Sequence, residues 1–98
     1  MIPQVYVSIG NSDDKLTQRQ WCEFVAEVEN VLTGHDVRMH GAWFSRPDAM
    51  WQNACWLFDA PANPRRMQDE LINLADEYGQ DSIAWSNAET TFLGPAPR

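Results

Sequence analysis

The fold is decided by residues 16–34, which read LTQRQWCEFVAEVENVLTG. Thr17 is a good N-cap, and Gln20 three residues later completes a capping box with it. Apolar residues then recur at helical spacing along one stripe: Trp21, Phe24, Val25, Val28, Val31 and Leu32. The pattern predicts an amphipathic helix over residues 18–33, with Gly34 as a left-handed C-terminal cap.

A second helix is predicted after residue 63. Asn63 is a good N-cap, and Pro64 suits the first helical position because a missing N–H is harmless there. Apolar residues again form one stripe, made by Met67, Leu71, Leu74 and Tyr78. Gly79 follows where a left-handed C-terminal cap belongs.

Four segments around these helices have the composition of strands. They span residues 5–9, 37–44, 52–59 and 82–85. The first alternates, with Val5, Val7 and Ile9 on one face, and the third is apolar on both faces, as in a central strand.

The order of elements is therefore βαββαβ, in one domain over residues 1–98. This is the ferredoxin-like plan: an α+β two-layer sandwich with both helices on one face of a four-stranded antiparallel sheet. Strands one and three lie in the middle. Residues 90–93 are predicted to add a short C-terminal edge strand, and residues 93–98 to form a flexible tail.

This plan leaves the sheet face opposite the helices, the open face, without a cover. Tyr6 and Ser8 should point to it from the first strand. In the second strand Val37, Met39 and Trp43 are predicted to point inward, which leaves Arg38, His40 and Phe44 outward. The third strand supplies either Cys55 and Leu57 or Trp56 and Phe58, because a one-residue shift in register exchanges the pairs.

An apolar face of this kind is typical of a contact site. The sequence leaves three possibilities for what covers the open face: a second copy or another protein, the chain's own residues 90–93, and a small ligand in a pocket.

Composition narrows the class of partner. The formal net charge is −7, the wrong sign for neutralising phosphates, and residues 52–59 lack the basic residue beside paired aromatics that RNA-recognition strands carry, so no nucleic acid is expected. No apolar run is long enough to span a membrane, and no secretory signal precedes the first strand. A cytoplasmic protein is predicted, with Cys22 and Cys55 as thiols.

Two segments are candidate binding sites. The loop Asn11, Ser12, Asp13, Asp14 and Lys15 joins a strand end to a helix N-terminus, where backbone N–H groups favour anions. It lacks the glycine and Lys-Ser/Thr spacing of a phosphate loop, and the alternative is a self-bonded polar turn.

The other segment, Trp51, Gln52, Asn53 and Trp56, combines indole and amide groups that suit neutral polar recognition; the alternative is a core tryptophan with strand-end amides. His40 is a candidate acid–base or packing residue. No metal site or cofactor is predicted, because His35 and His40 would lie on opposite faces of a strand.

Three stretches carry a resemblance: YVSIGNSDDKL at 6–16, WQNACW at 51–56 and QDSIAW at 80–85. They are similar to small uncharacterised proteins of actinobacteria and their phages, over nearly the whole chain. That family has no assigned activity and supplies no functional residues. The resemblance implies an intracellular setting and a role in phage–host conflict.

The function predicted from these features is a non-enzymatic interaction module, homodimeric through its open face. Its acidic surface would suit a partner protein with a basic surface. In its sharpest form, the prediction is a small inhibitor that uses Glu23, Glu27 and Glu29 to occupy the nucleic-acid-binding surface of another protein. The alternative is a small-molecule or nucleotide-binding domain, or a small enzyme, with its site at the 11–15 loop.

Overall fold

The computed structural model describes residues 2–11 and 15–96, and it has the six elements in the predicted order. They are β1 (Gln4–Gly10), α1 (Gln18–Gly34), β2 (Met39–Phe44), β3 (Asn53–Asp59), α2 (Pro64–Glu77) and β4 (Ala84–Ala88). All strand pairs are antiparallel, in the order β2-β3-β1-β4. The predicted α+β, ferredoxin-like fold is confirmed. In the described part of the chain, no helix combines the length and apolar character needed to cross a membrane.

Three of the four helix caps predicted from the local sequence are confirmed. The Thr17 hydroxyl accepts a hydrogen bond from the Gln20 N–H at 3.2 Å, and the Gln20 side chain accepts one from the Thr17 N–H at 2.9 Å. The Asn63 side chain caps α2, and Gly79 adopts φ 64° after it. Gly34 was wrongly predicted: it is the last helical residue, without a left-handed φ. The chain leaves α1 through an extended residue towards β2, so no left-handed reversal is needed.

The core fills the space between the helices and one face of the sheet. Its buried members from the helices are Trp21, Phe24, Val28, Leu32, Met67, Leu71 and Leu74. Those from the two central strands are Val5, Val7, Ile9, Ala54, Trp56 and Phe58. The residues predicted to form the helical stripes and the inner face of β1 are thus confirmed as core or as its immediate neighbours.

The register of β3 decides between the two pairs left open above. Trp56 lies opposite Val7 and Phe58 opposite Val5, and both aromatic side chains are fully buried. Cys55 and Leu57 therefore point to the open face. Trp56, a candidate residue of the sheet-face site, belongs to the core instead, because its neighbours on that side are the buried residues of β1.

A β-bulge in β2 reverses the predicted orientation of its aromatic residues. Met39 pairs with Phe58 but Gly41 pairs with Leu57, so His40 is an extra residue on this strand. Because of this one extra residue, every later side chain of the strand points to the opposite face of the sheet from the one that simple alternation predicts. The predictions that Trp43 points inward and Phe44 outward were therefore wrong.

Phe44 packs on the core side, with its ring 5.8 Å from that of Trp56 in an edge contact. Trp43 pairs with Cys55 on the open face.

The predicted strand at residues 90–93 is absent from the described residues. β4 extends to Ala88 rather than ending at residue 85, which leaves only Glu89 before Thr90. A hairpin needs at least about two loop residues, so the chain cannot turn back at that point. Phe92 and Leu93 are 79% and 92% exposed. Side chains that covered an apolar face would be buried themselves, so this segment does not cover the open face.

Candidate functional site

The open face is a grid of alternate residues from all four strands, because residues paired across antiparallel strands share a face. One row across the sheet consists of Trp43, Cys55, Ser8 and Ala84. The next row consists of Gly41, Leu57, Tyr6 and Ser86. Asp59, Gln4 and Ala88 form the third row, and His40 lies beside it.

Exposed aromatic side chains dominate the first two rows. Trp43 is 58% exposed and Tyr6 is 39% exposed, while Cys55 and Leu57 between them are half-buried. Paired positions lie about 4.5–5.5 Å apart, so these four side chains form a continuous patch. The other positions in the two rows are small, which leaves space beside both rings. The patch can therefore accept apolar side chains from another surface.

His40 and Asp59 form the polar margin of the open face. The His40 Nε2 atom lies 2.7 Å from an Asp59 carboxylate oxygen, and both side chains are mostly covered. Asp59 is four residues along β3 from Cys55, or about 13 Å. This histidine–carboxylate pair therefore cannot activate the Cys55 thiol, whose neighbour is the Ser8 hydroxyl at 3.4 Å.

Asn11 holds the start of α1, and three residues of its predicted binding loop, Ser12, Asp13 and Asp14, lie outside the described residues. The Asn11 side chain is buried; its amide N–H donates to the Leu16 carbonyl at 2.9 Å, and its oxygen accepts from the Leu16 N–H at 3.0 Å. Its backbone N–H donates to the Gln52 carbonyl. Asn11 therefore fixes the backbone of Leu16 at the start of α1, and we call these two hydrogen bonds the Asn11 clamp. Lys15 forms an exposed ion pair with Asp81 at 3.8 Å.

The amides of the second predicted segment are also engaged within the chain. Gln52 is buried, and its side-chain N–H donates to the Gln18 side chain at 2.9 Å. Asn53 donates from its side chain to the Trp51 carbonyl at 3.3 Å. Its amide oxygen lies only 2.8 Å from where a Cβ on Gly10 would be, so a larger residue at position 10 would displace it. Trp51 remains half-exposed in the β2–β3 connection.

The acidic residues of α1 are not equivalent. Glu23 and Glu29 are exposed, as the inhibitor hypothesis requires, and that hypothesis stays a prediction. Glu27 was predicted to point outward but is half-buried, and it accepts a hydrogen bond from the Tyr78 hydroxyl. This bond, burial and the negative charge of nearby glutamates raise the pKa of Tyr78 well above its ordinary value.

Tyr78→Phe is expected to show that this bond stabilises the fold in a pH-dependent way. The folded state holds the phenolic proton more tightly than the unfolded chain. The stabilisation is therefore complete below the unfolded pKa of about 10 and is lost as pH rises beyond it. In urea titrations, the wild type should exceed Tyr78→Phe in stability at neutral pH, and the gap should narrow above about pH 10. A constant gap would contradict the assignment, and Tyr6→Phe is the matched control on the open face.

Histidine and acidic residues do not converge on a metal site in the described ranges: no group of three or more potential ligands is present there. His35 bonds Glu70 on α2 at 2.6 Å, whereas His40 bonds Asp59 on the other side of the sheet. The two histidines are thus separated.

Two features of the surface were missed at the level of sequence. One is the exposed position of Trp43, which Gly41 next to His40 could have signalled, since glycine within a strand often marks a bulge. The other is a groove between α2 and β4, for which Ile72, an apolar residue outside the predicted α2 stripe, was the available signal. No protein-family model matches the chain, and no curated protein is significantly similar to it. An inference about function therefore depends on the geometry and chemistry of the residues themselves.

Proposed function

We propose that the protein is a non-enzymatic interaction module that forms a homodimer through its open face. The observation that carries this proposal is an apolar, aromatic patch without charge at its centre, on a chain with net charge −7. Interface cores are depleted of charged residues and enriched in tryptophan and tyrosine. Trp43 and Tyr6 supply these residue types, and Leu57 and Cys55 supply the apolar surface between them.

Charge does not oppose a second copy at the centre of the open face. Two chains of net charge −7 repel each other, and contact is least unfavourable where neither surface is charged. Among the strand residues of the open face, the acidic side chain is Asp59, which lies at the margin beside its partner His40. Two such faces can therefore meet without placing acids opposite acids at the centre.

The size of the face sets the expected affinity. Four strands at a spacing of about 4.8 Å give a sheet narrower than 20 Å, at the small end of stable protein interfaces. Two sheet faces pack about 10 Å apart with their side chains interdigitated, and the small residues beside Trp43 and Tyr6 permit this. We expect a dimer that dissociates in the micromolar range.

Sedimentation velocity over a series of protein concentrations tests the proposal, with Trp43→Ala and Trp51→Ala as matched variants. Both tryptophans are about half-exposed, at 58% and 51%, but Trp51 lies outside the strands. Trp43→Ala should weaken the dimer at least about tenfold, or about 1.4 kcal/mol, because a tryptophan buried in an interface is a typical hot spot. Trp51→Ala should leave the dissociation constant nearly unchanged.

Two results would overturn the homodimer. One is a wild-type protein that stays monomeric at every concentration up to about the millimolar range, where an interface of this size should associate. The other is an equal loss of affinity in both tryptophan variants, which would place the contact elsewhere. Unchanged circular dichroism spectra establish that each variant remains folded.

A further inference from the structure

β4 is a short edge strand without a proline, a charged residue or a bulge that would block a further strand. It lies at one end of the sheet, and in the described residues it pairs with β1 alone. Alternate N–H and C=O groups on its outer side therefore point away from the sheet. Its sequence, AWSNA, contains no proline and no charged residue, whereas the opposite edge strand, β2, is interrupted by the bulge at His40. β4 is the edge that can accept an added strand.

A groove of about 490 Å³ runs between β4 and α2 on the helix side of the sheet. Its apolar lining consists of Leu71, Ile72, Ala75, Ile83 and Trp85. Trp85 lies opposite Val7 on that side, with its ring 6.1 Å from that of Phe58. A strand placed beside β4 would direct every second side chain into this groove, where Ile72 is 61% exposed and available for contact.

The charged part of the groove lining is acidic. Among the described residues that line the groove, Asp76 and Asp81 are charged and none is basic. Lys15 lies 3.8 Å from Asp81, but the Asp81 side chain is 92% exposed and remains accessible to a further cation. A second copy of the chain at this edge would bring the same acidic groups together. The charge therefore favours a basic occupant over self-association.

We propose that the outer edge of β4 and the adjoining groove bind an extended peptide segment of a partner protein by β-strand addition. Backbone hydrogen bonds to β4 would supply affinity, and alternate apolar side chains in the groove would supply specificity. Arginine or lysine at the ends of the segment would pair with Asp76 and Asp81. This surface is separate from the open face, so it does not depend on the homodimer.

The probe is a fluorescein-labelled peptide in which valine alternates with threonine and both ends carry arginine. Fluorescence anisotropy with the full chain should show saturable binding. The same peptide N-methylated on alternate backbone nitrogens should lose at least about tenfold in affinity, because the donors needed for strand pairing are gone. A version with glutamate at both ends should bind more weakly than the arginine version.

Exchange of the groove charges tests the acidic contacts. Asp76→Lys combined with Asp81→Lys should weaken the arginine-ended peptide about five- to tenfold and strengthen the glutamate-ended one. Glu23→Lys combined with Glu29→Lys on α1 is the matched control, since it changes the net charge equally at exposed sites away from the groove. That control should change both affinities much less.

Four outcomes would overturn the proposal. The first is an N-methylated peptide that binds as tightly as the unmodified one. The second is an equal change of peptide affinity in the groove variant and in the α1 variant. Two further results would assign another occupant to the edge. Slow amide hydrogen exchange at Thr90–Leu93 in the free protein would mean that the chain's own tail covers the edge. Absence of peptide binding, with a dimer that Ile72→Lys dissociates, would assign the edge to a second copy.

Discussion

Trp56→Ala is expected to lower the free energy of unfolding by about 3–5 kcal/mol, the largest stability effect of any single change considered in this chain. Trp56 is fully buried on β3, opposite Val7, and the Phe44 ring packs against it at 5.8 Å. Truncation removes its apolar surface from the core and leaves a cavity that neighbouring side chains fill only in part. Urea titration followed by circular dichroism measures the loss.

Trp56→Phe keeps an aromatic ring at this position but removes the indole N–H, so it distinguishes the contributions of the two groups to stability. The Trp56 Nε1 group is buried, and no partner for it exists among the described residues. An unpaired buried donor costs about 1–3 kcal/mol, so phenylalanine removes that penalty while it leaves a smaller cavity than alanine. The two effects oppose each other, and we expect a net loss of about 1 kcal/mol or less.

Trp51→Ala is the exposed control for this series and should change stability by about 0.5 kcal/mol at most. The comparison tests the register of β3 as well as the core. If Trp56 pointed to the open face, its truncation would resemble that of Trp51. Equal losses in the two variants would therefore contradict the placement of Leu57 and Cys55 on the binding surface.

Asn11→Ala is expected to lower stability by about 2–3 kcal/mol, more than is usual for an asparagine in a loop. The Asn11 side chain is 4% exposed and bonds both the N–H and the carbonyl of Leu16. Alanine removes both bonds and leaves these buried backbone groups without their partners. Leu16 directly precedes the N-cap Thr17, so the loss should also loosen the first turn of α1.

Asn11→Asp and Asn73→Ala are the controls for this variant. Aspartate retains the acceptor for the Leu16 N–H but cannot donate to the carbonyl, so its loss should be intermediate. Asn73 is exposed on α2, and alanine there should be neutral or slightly stabilising because of its helix propensity. An Asn11→Ala protein as stable as the wild type would contradict the clamp and return Asn11 to the candidate ligand-binding residues.

The candidate binding residues predicted from sequence have different roles in the structure. Tyr6 and His40 reach the open face as predicted. Trp56 and Phe44 lie on the core side of the sheet, and Gln52 is buried beside α1. Composition alone could not separate these groups, because tryptophan, phenylalanine and glutamine can each serve either in a core or at a contact surface.

Local patterns determined the elements and their order. The capping box at Thr17, the Asn63–Pro64 start of α2 and the alternation of Val5, Val7 and Ile9 each depend on neighbours within a few residues. Helix caps and side-chain periodicity are properties of a short stretch of backbone, so they can be recognised without the rest of the chain. From these elements, the ferredoxin-like order of the sheet followed through the handedness of its two crossovers.

Only the tertiary structure decided which residues face outward at the sheet edges. The bulge at His40 arises in the pairing of β2 with β3, and it exchanges the faces of Trp43 and Phe44. The extension of β4 to Ala88 depends on its pairing with β1, and it uses the residues that a hairpin turn would have needed. Register is set by contacts between strands distant in sequence, and a shift of one residue reverses every side chain beyond it. For that reason the amino-acid sequence determined the fold of this protein, whereas strand pairing determined its candidate binding surfaces.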